Sequence, residues 1–204
     1  MCIQLVTRNA MQTLPETMAS CASQQFVPCT VRVVDNGSTD RSVAFLKESY
    51  PQAMVMRNAR HLGDAAALNQ AVRYTLEHWP KETWSTRAIL FLEPDVVLTP
   101  RVLERLMNVL DQRPEVAAVG PKLLKIFEEN ILDEAFRERV ESDHIASMGW
   151  LLTPSLQVIE RGAHEVDAGQ YDRARDIFGF SGDCVLVRAS ALAAVEVHGA
   201  YVPA

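Results

Sequence analysis

The chain has 204 residues, 48% of them hydrophobic, enough for one domain with a buried core. It carries 20 Lys and Arg against 26 Asp and Glu, a net charge of -6, with no dense basic run. Those figures exclude a nucleic-acid surface, which needs a basic stripe, and leave any anionic ligand dependent on backbone donors or a metal ion. Cys2, Cys21, Cys29 and Cys184 are scattered without zinc spacing, so a reducing cytoplasm is the expected location. The apolar start is short and runs straight into Thr7-Arg8-Asn9, unlike a secretory signal. No stretch reaches the roughly 18 apolar residues of a membrane span. The best attempt, Val185 to Val197, carries Arg188 and Glu196.

In chain order, Ile3 to Thr7 reads as a first strand. Thr13-Leu14-Pro15-Glu16 reads as a capping box, opening a helix with Leu14, Met18 and Cys21 at helical spacing. A second strand, Val31 to Asp35, is rich in β-branched residues and ends in Asp35-Asn36-Gly37-Ser38. Gly37 suits positive φ, Asn36 and Ser38 can bond their own backbone, and Asp40 or Ser38 can cap a helix presenting Val43, Ala44, Leu46 and Tyr50. In an open α/β sheet ligands bind at the carboxyl ends of strands, where Asp35 stands. A carboxylate there can accept from a base N–H or ribose hydroxyls, and the following N–H groups can face phosphate. An ordinary capped strand-to-helix turn would use the same residues.

A third strand covers Ala53 to Arg57, and Gly63 leads into a helix with Leu68, Ala71, Val72 and Leu76 inward, stopping near Pro80. Ala88 to Leu92 is the most apolar strand, followed at once by Glu93 and Asp95. In extended backbone, positions i and i+2 point the same way, so these two carboxylates could share one cation. Oxygen-only ligands suit Mg²⁺ or Mn²⁺. The alternative is that Asp95 opens a turn and Glu93 faces water. Thr99 then caps and Pro100 starts a helix whose Leu103, Leu106, Met107 and Leu110 share a face, and Val116 to Val119 forms another strand.

This alternation implies right-handed crossovers and a mostly parallel sheet. Past Pro121 the pattern changes. Residues 127–143 are charge-rich and read as a solvated helix or flexible loop, and residues 144–182 read as loop, with six glycines and prolines between Gly149 and Gly182. Cys184 to Val187 gives one more strand and Ala189 to Val197 a short helix. A single domain over residues 1–204 is expected.

Taken in order, V-V-D-N-G-S-T-D, Asn58, G-x-x-A-A-x-N from Gly63 to Asn69, F-L-E-P-D-V-V-L-T-P, V-G-P-K-L-L and F-S-G-D-C-V-L-V-R resemble the family 2 glycosyltransferases, nearest the rhamnosyltransferase-like branch. Asp167-x-Gly169-Gln170-Tyr171-Asp172 also resembles a pattern of that branch. The resemblance implies an α/β fold of GT-A type, Rossmann-like, three-layer α/β/α around a mostly parallel central sheet. Residues 1–120 would be its nucleotide-binding half and residues 121–204 its acceptor-side half. Thr7 and Asn9 would line the nucleotide pocket, Asp35 would hold the base, Gly37 and Ser38 would shape the turn, and Asn58, Gly63 and Asn69 would close the other wall. Glu93 and Asp95 stand where the family carries its D-x-D or N-x-D metal motif, so Mg²⁺ or Mn²⁺ is the implied cofactor.

The implied reaction is transfer of a sugar from a nucleotide-diphospho-sugar to a glycan or lipid-linked acceptor, inverting and metal-dependent, in polysaccharide or cell-surface glycan synthesis. Its place would be cytoplasmic, peripheral to the inner face of the membrane, with the oligomeric state left open. Three departures stand out. Glu93 replaces Asp or Asn, Asp64 follows Gly63 where relatives often carry Lys or an aromatic, and the family's later G-F-D-E segment and E-D pair have no counterpart after Arg188. A C-terminally truncated member is therefore expected, with its catalytic base unassigned and Asp183, Asp167 and Glu165 as substitutes. The other reading is a non-catalytic sugar-nucleotide-binding or scaffold protein.

Overall fold

A computed structural model describes residues 1–25, 28–129, 138–196 and 200–201. In chain order the first elements are β1 (Cys2–Thr7), α1 (Leu14–Ala22), β2 (Thr30–Asp35), α2 (Ser42–Ser49), β3 (Met54–Arg57), α3 (Asp64–His78), β4 (Ala88–Leu92), α4 (Val102–Gln112) and β5 (Ala118–Val119). There follow β6 (Leu123–Glu129), β7 (Glu138–Ser147), β8 (Trp150–Leu152), β9 (Val158–Glu160), β10 (Cys184–Arg188) and α5 (Ala189–Ala194). Two compact units result: Met1–Val119 with Gly182–Ala204, and Gly120–Ser181.

The first unit holds a six-stranded sheet in the order β3-β2-β1-β4-β10-β5. Strands β1, β2, β3 and β4 run parallel, while β10 runs antiparallel between β4 and β5. Every residue of β1 and β4 is buried, which is why β4 reads as an unbroken apolar run and β1 as one interrupted only by Gln4 before its closing Thr7. Helix α3 lays Ala67 and Ala71 on Val6 and Val34, with Met56 and Leu68 at the margin. It is also tied down by polar contacts. Gln4 donates to the Ala71 carbonyl at 2.8 Å and to the Thr75 hydroxyl at 2.6 Å, and the Arg32 guanidinium donates to the same hydroxyl.

The helix faces match the sequence periodicity better than the caps do. Leu103, Leu106, Met107 and Leu110 of α4 are buried, as are Leu14, Met18 and Cys21 of α1. On α2 only Leu46 of the four expected residues is buried. The Thr13 side chain caps nothing: its hydroxyl reaches back to the Ala10 carbonyl. Nor does Thr99 cap α4, which starts after a left-handed Arg101. Its first turn is met by Gln24 from beyond α1, which accepts from Leu103 N–H at 3.4 Å and donates to the Thr99 carbonyl at 3.0 Å. At α2 Asp40 takes the capping role, accepting from the N–H groups of Ser42 at 3.0 Å and Met11 at 3.1 Å.

Arg188 closes the far end of the sheet. Its guanidinium donates to the carbonyls of Ser85 (2.6 Å), Leu110 (2.7 Å), Val116 (3.2 and 3.3 Å) and Arg113 (3.4 Å). Two of these lie at the C-terminus of α4, where a cation also meets the negative end of the helix dipole. A lysine has three donors on one atom and cannot span that set. Arg188→Lys is therefore expected to lower the unfolding free energy by about 2 kcal/mol. A denaturant melt of the full chain with an unchanged midpoint would contradict this.

In the second unit, the charge-rich stretch is not the helix or loop expected from its composition. Its described parts belong to β6 and β7, which pair antiparallel with an irregular register near Leu124 to Ile126. Residues 130–137 lie outside the described residues. A two-stranded ribbon leaves much of both faces in water, so charged residues fit it as readily as a solvated helix. The loop-rich stretch likewise contains the small β8–β9 pair. Val197, the expected end of the last helix, is outside the described residues, and α5 stops at Ala194.

Candidate functional site

Because β1, β2, β3 and β4 are parallel, their carboxyl ends share one edge of the first unit. The antiparallel β10 brings its amino end there, and Glu93 N–H donates to the Asp183 carbonyl at 2.9 Å. Thr7, Asp35 and Arg57 are in register across this edge. Asp35 is fully buried, accepts from Ser38 N–H at 3.3 Å through either oxygen, and lies 3.7 Å from Arg57 Nε. The Arg57 side chain is 62% exposed, so the pair joins a buried anion to a solvent-facing cation. Thr7 Oγ1 is buried and has no hydrogen-bond partner among the described residues, an uncommon condition for a hydroxyl.

Two amide side chains brace the Asp35 turn. Asn9, at φ 50°, donates its backbone N–H to Ser38 Oγ at 2.9 Å, and its side-chain Oδ1 accepts from Thr39 N–H at 2.8 Å. The other brace, Asn36, engages the segment 58–63 rather than its own turn, through Asn58, His61, Leu62 and Gly63. A Cβ on Gly37 would stand 2.7 Å from the Arg60 carbonyl carbon and 2.8 Å from His61 N, so only glycine permits this approach. A Cβ on Gly63, at φ 87°, would meet nothing within 4 Å among the described residues, so glycine is needed there for its dihedral alone. Asn58 is buried and donates its backbone N–H to the Asp35 carbonyl at 2.8 Å. Asn69, one turn into α3, accepts from Tyr201 N–H at 2.6 Å.

Two strands from Asp35 stand the acidic residues. By strand spacing alone β2 and β4 are about 10 Å apart, so one nucleotide can reach both ends. Glu93 keeps an exposed surface while protein atoms crowd its carboxyl. Desolvation first, then the charges of Asp95, Asp64 and Asp183, push that carboxyl up to about 7. Four carboxylates thus contribute to one negative region. Among the described residues, no group of three or more His, Cys, Asp or Glu is arranged to hold a metal ion by itself. A hard cation at Glu93 and Asp95 would complete its shell from ligand oxygens and water, and the all-oxygen donor set fits that.

The other carboxylates considered for the base are engaged within the second unit. Asp167 pairs with Lys122 at 2.5 Å, and this contact, helped by Gly169 N–H, holds its carboxyl below the usual range. Glu165 accepts the Tyr171 hydroxyl at 2.9 and 3.0 Å. His144 lies on β7 rather than in a loop, with Ser142 Oγ and Asp143 Oδ1 both 3.1 Å from Nδ1. Partners crowded on one ring nitrogen do not make a serine–histidine–carboxylate relay. The sequence reading did not single out Arg57, nor Asn36 as a brace. Arg57 ends an ordinary strand, and the partners of Asn36 lie more than 20 residues away.

The comparisons with known proteins bear on the family and the fold. Over 118 residues the chain is 26% identical to the N-acetylglucosaminyl-diphospho-decaprenol L-rhamnosyltransferase of Mycobacterium tuberculosis, covering 57% of the chain but 38% of that relative's length. The fold resembles that of S. aureus TarS residues 1–349 in complex with UDP (TM-score 0.57, 17% identity, 95% of this chain and 48% of that one). It also resembles GalNAc-T7 with UDP, GalNAc and Mn²⁺ (TM-score 0.61, 10% identity, 94% of this chain and 35% of that one). These structural likenesses establish an α/β fold of GT-A type with a mostly parallel central sheet. Residues 2–194 match the family model of Glycosyl transferase family 2, to which the chain belongs.

Proposed function

We propose that this chain binds a nucleotide-diphospho-sugar at the Asp35 edge and transfers its sugar, with inversion, to a glycan or lipid-linked acceptor in cell-surface polysaccharide synthesis. The observation that carries this reading is the shared edge: a buried Asp35 beside an unpartnered Thr7 hydroxyl, with Glu93 and Asp95 ending β4 on the same side. Asp35 accepts the base N–H, the Thr7 hydroxyl takes a further polar atom of the nucleotide, and the exposed Arg57 adds positive charge beside an anionic ligand. Glu93 and Asp95 hold the Mg²⁺ or Mn²⁺, which when bound neutralises charge on the departing diphosphate.

Inversion needs a carboxylate to take the acceptor hydroxyl's proton in line with departure of the diphosphate. Of the three carboxylates considered, Asp183 stands at this edge and is the candidate. A lipid-linked acceptor is supported by the name of the mycobacterial relative, which acts on a diphospho-decaprenol. A cytoplasmic setting at the inner membrane face belongs to the same proposal; among the described residues no helix is long and apolar enough to cross a membrane.

Thermal melting with a panel of nucleotide-sugars, with and without Mn²⁺, tests the reading. A ligand at a hundredfold excess over its Kd raises stability by about 2.7 kcal/mol, an easily read increase in melting temperature. A chain whose melting is unmoved by every uridine, thymidine and guanosine diphospho-sugar would refute donor binding.

A further inference from the structure

The Asn36 side chain is fully buried, and all its hydrogen-bonding capacity goes to one segment. Its Oδ1 accepts from Leu62 N–H at 3.0 Å and Asn58 Nδ2 at 3.3 Å, and its Nδ2 donates to the Gly63 carbonyl at 3.2 Å and lies 3.0 Å from His61 Nδ1. A backbone N–H only donates and a backbone carbonyl only accepts, so Leu62 and Gly63 fix which end of the amide is which. His61 Nδ1 must then accept, which leaves its proton on Nε2. The neighbouring Gly37 is pressed by the Arg60–His61 backbone, so the turn after β2 and the entry to α3 are joined at two successive residues.

We propose that Asn36 is a positioning residue of the donor nucleotide site, holding the 58–63 wall at its working distance from Asp35, and that it must be an amide to do so. This rests on the donor-binding reading above. An isosteric carboxylate keeps the bonds from Leu62 N–H and Asn58 but sets a lone pair against the Gly63 carbonyl, which cannot donate, and forces His61 to shift its proton to Nδ1, so one contact turns repulsive in a buried place. The wall then moves away from the turn while the strands beneath it, held by their own ladder, remain.

The test is calorimetric titration of the full chain, with Mn²⁺, using whichever of uridine, thymidine or guanosine diphosphate binds the unaltered protein most tightly. Asn36→Asp is expected to weaken binding about tenfold. The Leu62 amide should exchange faster, with the circular dichroism spectrum unchanged. Adding His61→Lys, which sets a cationic donor opposite the new carboxylate, should recover most of the loss; a residue acting only on stability gives no such recovery. Should Asn36→Asp not fold, His61→Ala alters an exposed ring and removes one of the four contacts, with an expected loss of about threefold. Unchanged affinity in either variant overturns the proposal and leaves donor binding standing. If the unaltered chain binds none of the three nucleotides, donor binding and this proposal fall together.

Discussion

Asp35→Ala is expected to weaken binding of uridine or thymidine diphosphate roughly 100-fold, about 3 kcal/mol, while costing the fold only about 1 kcal/mol. The difference follows from what the carboxylate does in the free protein. Its two contacts with Ser38 N–H are long, 3.3 Å each, and Arg57 is 3.7 Å away with a mostly exposed side chain. Removing the carboxylate leaves one backbone N–H short of an acceptor and returns Arg57 to water. A carboxylate has about four acceptor directions, so those weak contacts leave capacity for a base N–H. Asp35→Asn keeps the shape and one acceptor oxygen, and its loss should be about tenfold. Titration calorimetry on the three proteins at one Mn²⁺ concentration reads this ordering. Equal affinities would reduce Asp35 to a residue that merely shapes a turn.

What could be read from the sequence was what is local. The strand Ala88–Leu92 and the buried face of α4 follow from unbroken apolarity and from i, i+3, i+4, i+7 spacing, both written within a dozen residues. Asp35, Glu93 and Asp95 stood out because an acid directly after a buried strand is a local anomaly. The contacts that hold the site together are not local. Asn36 reaches residues 58–63, Gln24 reaches Thr99 and Leu103, and Arg188 reaches back as far as Ser85. Nothing beside Gln24 distinguishes it from any polar residue following a helix, so the Thr99 cap was the natural choice and the wrong one. The ribbon of β6 and β7 was missed for the converse reason. Charge density reports exposure to water, and both a solvated helix and a two-stranded ribbon satisfy it.

Asp95→Ala should abolish the Mn²⁺-dependent part of nucleoside diphosphate binding, with no loss of stability in metal-free buffer. The two readouts separate a ligand role from a structural one. In the free protein Asp95 is one of three carboxylates whose charge opposes ionisation of Glu93, after desolvation has already done so. Removing it relieves repulsion, so a melt in a chelating buffer should be unchanged or slightly higher. Removing a residue that served only to form the turn after β4 would lower it instead. Binding should move the other way. With only Glu93 remaining, the cation loses one of two anionic oxygen ligands, and the diphosphate meets Glu93, Asp64 and Asp183 with less cationic charge between them. Calorimetry of uridine and thymidine diphosphates, with Mn²⁺ and then with chelator, gives the increment directly. An increment equal to that of the unaltered chain would remove Asp95 from the metal site, and would turn the crowding of acids at this edge into a feature of the fold rather than of donor binding.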